Sequence, residues 1–116
     1  MHELSLAQVL LEQVHTLMRR HDASRVASIR VSVGEFSGVE PELLCGACEL
    51  LIDTSPVRGA ELQFQSVPLE ARCNSCGHEF AVDRFRFACP RCHDREISIL
   101  RGEDLVLESV TFQTDN

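Results

Sequence analysis

Cys73, Cys76, Cys89 and Cys92 stand as two C-x-x-C pairs, C-N-S-C-G-H-E-F and C-P-R-C-H-D-R, with twelve residues between them. Each pair can close a tight turn that aims both sulfurs at one point, while backbone N–H groups just beyond donate to the thiolates and offset their charge. Gly77, directly after the first pair, suits such a turn. Zinc prefers four tetrahedral ligands, and four thiolates leave no open position for water, so the pattern predicts a structural ion and not a catalytic one. The spacer is a little shorter than the roughly 15 to 20 residues of the usual ribbon pattern, but a short hairpin bridges such a gap. Phe80, Val82, Phe85 and Phe87 are placed to supply it. Two readings compete with zinc: free buried cysteines, and iron in a rubredoxin-like site. Spacing and compartment favour zinc. His78 and His93 adjoin the pairs as substitute ligands, but with four thiolates present they read as surface residues or supports of the ligands.

Cys45-Gly46-Ala47-Cys48 is a third C-x-x-C, the spacing of a dithiol redox pair. A low-pKa thiolate is favoured at a helix N-terminus, whereas Pro41 places the helix start a full turn before Cys45. Cys48 also shares an apolar stripe with Leu44 and Leu51, so it is expected to fill core. The chain start offers a different chemistry. The Met1 amine, the His2 amide nitrogen and the His2 imidazole can close adjacent chelate rings, and the Glu3 amide or carboxylate can complete a tetragonal site of the kind nickel(II) or copper(II) prefers. The plain alternative for His2 is a solvated terminal residue.

Composition narrows the partners. The formal net charge is -7, Lys is absent and the 11 Arg are scattered, so nucleic acid is repelled and not attracted. Trp and Tyr are absent and only 6 Phe are present, which leaves few platforms for stacking bases. An RNA-binding or transcription-associated zinc ribbon is disfavoured on both counts. No apolar run approaches the roughly 20 residues that span a bilayer, and MHELSLAQVLLEQ lacks the basic start and cleavage site of a signal peptide. The expectation is a cytosolic protein without membrane contact. In that reducing compartment 6 cysteines argue for metal ligation or redox chemistry over a disulfide framework. With 116 residues, 44% of them hydrophobic and 25% charged, the chain suits one folded domain, or one domain with a small insert.

The elements that must position these groups follow from periodicity. Ser5 with Gln8 reads as a capping box, and Leu4 with Val9 as a hydrophobic staple, which predicts a helix beginning just after Glu3. Leu4, Ala7, Leu10, Leu11, Val14, Leu17 and Met18 recur on its inward face, and it stops near residue 21. Alternation from Arg25 to Val33 predicts a half-buried strand, with Ser28, Arg30 and Ser32 on its polar side. After a turn bracketed by Gly34 and Gly38, a second helix is expected over about 41 to 53, with Pro41 in its first position. Leu62, Phe64, Val67 and Leu69 form a strand whose phase slips at Ser66, suggesting a bulge, and Leu105, Leu107, Val110 and Phe112 form a closing strand. The cysteine segment between them holds few large apolar residues and needs a staple.

M-H-E-L-S-L at the start, G-E-F-S-G-V-E-P-E from Gly34, the paired C-x-x-C and G-E-D-L from Gly102 together resemble the HypA/HybF family of hydrogenase-maturation nickel metallochaperones, essentially end to end. The resemblance implies a nickel site at His2 and Glu3 with the Met1 amine as co-ligand, and zinc on Cys73, Cys76, Cys89 and Cys92. It places Glu40 at a family acidic position near the nickel end, although capping of the Pro41 helix accounts for that residue equally well. The family's usual second turn reads C-P-x-C-G, whereas His93 stands here in place of Gly. The expected architecture is α+β: two helices on a small three-stranded mixed sheet, formed by residues 1–69 and 100–116, with a zinc ribbon-like lobe over 70–99. Such a protein is not an enzyme. The resemblance implies a [NiFe]-hydrogenase large subunit as acceptor and the HypB GTPase as partner, with urease maturation as a further candidate, and a monomer or homodimer.

Overall fold

The computed structural model describes the backbone of residues 2–113 and the side chains of residues 3–113. In chain order its elements are α1 (His2–Arg20), β1 (Arg25–Gly34), α2 (Pro41–Ile52), β2 (Glu61–Val67), β3 (Glu70–Cys73), β4 (Glu79–Ala81), β5 (Ile97–Arg101) and β6 (Leu105–Gln113). They build two three-stranded sheets, ordered β2-β1-β6 and β4-β3-β5. The first sheet is mixed, since β1 pairs parallel to β2 and antiparallel to β6. A parallel pair needs a crossover, and α2 supplies it.

The two helices and the first sheet close over one core, in which Leu10 and Val14 of α1 meet Ile29 and Val31 of β1 and Leu44 and Cys48 of α2. α1 starts earlier than its sequence signals indicate. Ser5 lies inside the helix and forms no capping box, and Leu4 and Val9 are about half exposed, so no staple forms. Leu6 replaces Leu4 on the inward face, because Leu6, Leu10 and Val14 hold the 3.6-residue period against α2 and the sheet. At the other end Asp22 turns left-handed at φ 50 and the Ala23 N–H donates to the Met18 carbonyl at 3.0 Å, which closes the last turn.

Strand β1 is more buried than half. It is the central strand, and its pairing with β6 shifts register between Val26 and Ser28 and again between Arg30 and Val31. These irregularities turn Val26 inward and leave Ser32 only 3% exposed, where its hydroxyl accepts a hydrogen bond from Gln65 Nε2 at 2.8 Å. Strand β2 has no bulge at Ser66. Its register against β1 runs unbroken from Ser28↔Glu61 to Gly34↔Val67.

The second sheet has its own small core of Leu69, Ala71 and Val82, with Phe80, Ile97 and Ile99 packed against it. The expected Phe80 to Phe87 hairpin does not form. β4 ends at Ala81, Arg84 and Phe85 adopt left-handed φ values of 53 and 62, and Phe85 and Phe87 point outward, 74% and 41% exposed. β5 pairs with the other edge of β3, and its Ile97 and Ile99 pack against the small core.

Where the sheets meet, two sequence motifs come together. The Gly34 N–H donates to the Asp104 carbonyl at 2.9 Å, the Phe36 N–H to the Gly102 carbonyl at 2.8 Å, and the Glu35 N–H to the Val67 carbonyl at 2.8 Å. A Cβ on Gly34 would stand 2.5 Å from the Gly102 oxygen, so only glycine permits this backbone contact.

Candidate metal centre

One ligand atom from each of Cys73, Cys76, Cys89 and Cys92 lies within 4.8 Å of all the others. Cys73 ends β3, and the remaining three sit on two turns that β3, β4 and β5 carry to one end of the second sheet. The turns repeat each other bond for bond. In the first, the Cys73 N–H donates to the His78 carbonyl at 2.9 Å and the Gly77 N–H to the Cys73 carbonyl at 2.9 Å; in the second, Cys89 pairs with Asp94 at 2.9 Å and His93 with Cys89 at 2.8 Å.

Backbone N–H groups face the sulfurs as the spacing predicts. Cys76 N approaches Cys73 Sγ at 3.5 Å, and Arg91 N and Cys92 N approach Cys89 Sγ at 3.4 and 3.5 Å. The Cys76 N–H holds the Cys73 thiol below its ordinary value. At Cys89 burial opposes ionisation, but the Cys92 and Arg91 N–H groups outweigh it and bring the thiol down to about 7. At Cys76 the His78 N–H works to lower the thiol, and at Cys92 the Asp94 N–H does so, yet both thiols are raised by burial and by the neighbouring sulfurs. Four sulfurs this close cannot all carry charge by themselves. A dication at their centre removes that conflict, so the donor set fits a closed, tetrahedral thiolate site.

Gly77 and His93 occupy equivalent places, at φ 79 and 67. A side chain in this conformation costs about 1–2 kcal/mol, part of which glycine returns as backbone entropy. His93→Gly is therefore expected to stabilise the second turn by up to about 1 kcal/mol, seen as slower metal loss to a chelator. A faster loss would mean that the imidazole supports the site. His78 stacks on Phe80 with centroids 6.1 Å apart, a packing role beside the first turn. Asp94 went unnoticed in the sequence: its carboxylate accepts from Ser75 Oγ and from the Glu96 N–H at 3.0 Å, tying the two turns together. No motif spacing signals such a bond.

Cys45 and Cys48 do not join the cluster. Cys48 is 1% exposed within the main core, and burial pushes its thiol up to about 11. Desolvation and the Glu49 carboxylate, which accepts from Cys45 Sγ at 3.5 Å, raise Cys45 as well. Both stay protonated at neutral pH, the wrong state for dithiol attack.

At the chain start, Met1 and the His2 side chain lie outside the described residues. The backbone from His2 onward is helical, so His2 and Glu3 open α1 instead of preceding it. The first four N–H groups of a helix have no intrahelical acceptor, and the Glu3 N–H is taken up by its own carboxylate. The Glu3 carboxyl sits below the ordinary carboxylate range, held chiefly by its own backbone N–H and also by that of Glu40. The starts of α1 and α2 therefore converge. Glu40 occupies the N-cap position of α2, but its side chain makes no capping hydrogen bond, so capping does not account for it.

Comparison with known proteins agrees with this architecture. The HypA family model, described as hydrogenase/urease nickel incorporation, metallochaperone, matches residues 1–112. Hydrogenase maturation factor HypA of Desulfitobacterium hafniense is 36% identical over 113 residues, covering 97% of this chain and 99% of its own. The namesake from Aquifex aeolicus is 33% identical over 115 residues, covering 99% and 100%. The solution structure of the Ni metallochaperone HypA from Helicobacter pylori superposes with a TM-score of 0.70 at 25% identity, covering 99% of this chain and 100% of that one. On the strength of that end-to-end match and of the paired cysteine turns, the chain belongs to the HypA family of hydrogenase-maturation nickel metallochaperones.

Proposed function

We propose that this protein carries nickel(II) at its chain start and hands it to a maturing [NiFe]-hydrogenase, while a zinc ion on Cys73, Cys76, Cys89 and Cys92 shapes the smaller lobe. The observation that supports the nickel reading is the convergence of the helix starts, which brings the Glu3 carboxylate against the Glu40 backbone at the opening of α1. The Met1 amine, the His2 amide and imidazole, and Glu3 supply the donors. An open, mostly nitrogen-donor site exchanges its ion quickly, so the protein transfers metal without turning over a substrate. The hydrogenase large subunit is the acceptor and the HypB GTPase the partner, with urease maturation a further destination. Among the described residues no helix is long and apolar enough to cross a membrane, and we place the protein in the cytoplasm. The division at 1–69 with 100–116 and at 70–99 shifts slightly in this reading, because Leu69 and the end of β5 at Arg101 go with the smaller unit. Zinc is favoured over iron by the cysteine spacing and the reducing compartment.

Nickel affinity is expected to fall steeply from pH 8 to pH 5.5. The sign follows from the donors: the amine, with a free pKa of about 7.7 to 8.0, the imidazole, near 6.5, and the His2 amide must all lose protons to bind, whereas the depressed Glu3 carboxyl is ionised throughout this window. Titration calorimetry across the range tests it. A flat affinity would overturn the amine and imidazole as ligands.

A further inference from the structure

The two cysteine turns are held in unequal ways. The first, from Cys73, belongs to a hairpin: β3 runs directly into it and β4 follows it, with Arg72 paired to Glu79 across the ladder. The second, from Cys89, lacks that support. No strand forms between Ala81 and Ile97, and the loop that leads toward the second turn carries the left-handed residues Arg84 and Phe85. The bonds inside that turn, from Cys89 to Asp94 and from His93 to Cys89, shape it but do not place it. Placement matters, because a four-thiolate site needs both turns in register to present their sulfurs to one ion.

Sulfurs aside, two hydrogen bonds tie residues 89–96 to the first turn among the described residues: the Ser75 hydroxyl donates to Asp94 Oδ2, and the Asn74 N–H donates to the Glu96 carbonyl at 2.8 Å. The other oxygen of the same Asp94 carboxylate accepts the Glu96 N–H at 3.0 Å, so both ties meet at one side chain. Asn74 is fixed in turn by the Ser98 hydroxyl of β5, which donates to its Oδ1 at 2.9 Å. On charge alone an acid is a poor choice here. A dication on four thiolates leaves a net negative centre, and Asp94, whose own N–H faces the Cys92 sulfur, brings a carboxylate beside it. Its place is explained by what it holds. We propose that Asp94 and Ser75 are positioning residues, a clasp outside the ligand set that keeps the second turn against the first and sets how slowly the metal leaves. The clasp rests on the zinc reading of the four cysteines and is independent of the nickel site.

Loss of zinc from the whole zinc-loaded protein to excess EDTA, followed by native mass spectrometry, tests the clasp. Asp94→Ala should lose its zinc about tenfold faster or more, whereas relief of charge repulsion by itself would make the loss slower. The two accounts differ in sign. Ser75→Ala, at an exposed position, should also speed the loss, and Ser75→Thr, which keeps the hydroxyl, should return the parental rate. The double alanine variant should be no faster than Asp94→Ala, because its Ser75 has no bond left to lose. A parental rate in either alanine variant, a slower rate in Asp94→Ala, or effects that add in the double variant overturns the clasp and leaves the zinc reading intact. Parent protein that holds no zinc by metal analysis overturns the zinc reading and the clasp with it. Should Asp94→Ala fail to load zinc, the rates of Ser75→Ala and Ser75→Thr decide: a difference between them upholds the clasp, and equal rates overturn it.

Discussion

His2→Ala is expected to abolish stoichiometric nickel binding, with affinity reduced about a hundredfold or more, equivalent to roughly 2.8 kcal/mol, while zinc content and fold remain unchanged. The chelate argument is specific about why. Losing the imidazole removes the ring that joins it to the His2 amide, and the amine and amide alone leave a weak, fluxional site. Extra residues ahead of Met1 should do the same by converting the amine, the anchoring donor that starts the chelate, into an amide that cannot anchor it. The fold should be indifferent to either change, because position 2 lies in the first turn of α1, ahead of the core residues that begin with Leu6 and Ala7. Titration calorimetry with nickel(II), paired with metal analysis and far-ultraviolet circular dichroism, reads all three quantities. An extended chain that still takes up one nickel as tightly as the parent would sink the chain-start site, and loss of helix in His2→Ala would make the residue structural.

Cys92→Ser is expected to empty the thiolate site and unfold the small lobe, leaving the larger one standing. The second sheet has only Leu69, Ala71 and Val82 as buried core, with three partly buried residues against them. So small a core cannot offset the entropy of ordering some thirty residues, whereas structural zinc sites contribute on the order of 10–16 kcal/mol in isolated peptides. The larger lobe has a separate core spanning α1, β1 and α2, which the cysteines do not enter apart from Cys48. Metal analysis should fall from one zinc to near none, and amide resonances of β3, β4 and β5 should collapse toward random-coil positions while those of β1 and β6 stay dispersed. A variant that kept its metal would show a neighbouring donor, His93 being the nearest in sequence, replacing the lost thiolate. Iron in the parent protein would overturn zinc as the resident ion.

Local patterns predicted some features and failed at others for identifiable reasons. The four cysteines could be read as one site because each C-x-x-C makes its own turn, and a turn needs no distant residue to form. Cys48 was assigned to the core because its stripe with Leu44 and Leu51 is a property of α2 alone. By contrast, the capping box at Ser5 failed although its residues are ideal. Packing of Leu6 and Leu10 rewards continuing the helix back to His2 more than a single side-chain cap rewards starting it at Ser5. The Phe80 to Phe87 hairpin failed likewise: alternation alone cannot show that the strand stops at Ala81, where Arg84 and Phe85 turn left-handed, nor that Ile97 and Ile99 supply the strand on the other edge of β3.

By itself, then, the sequence determined the cysteine cluster, the two helices and the strands β1, β2 and β6, all of which depend on neighbours within a few residues. Only the tertiary structure decided that Gly34 and Gly102 meet backbone to backbone, that Asp94 ties one cysteine turn to the other, that Glu40 faces Glu3 and that Phe36 joins Phe85 and Phe87 in one exposed surface. Each of these contacts joins residues distant in sequence or on separate turns. Loop closure and packing choose among such pairings through the free energy of the whole chain, which no local spacing records.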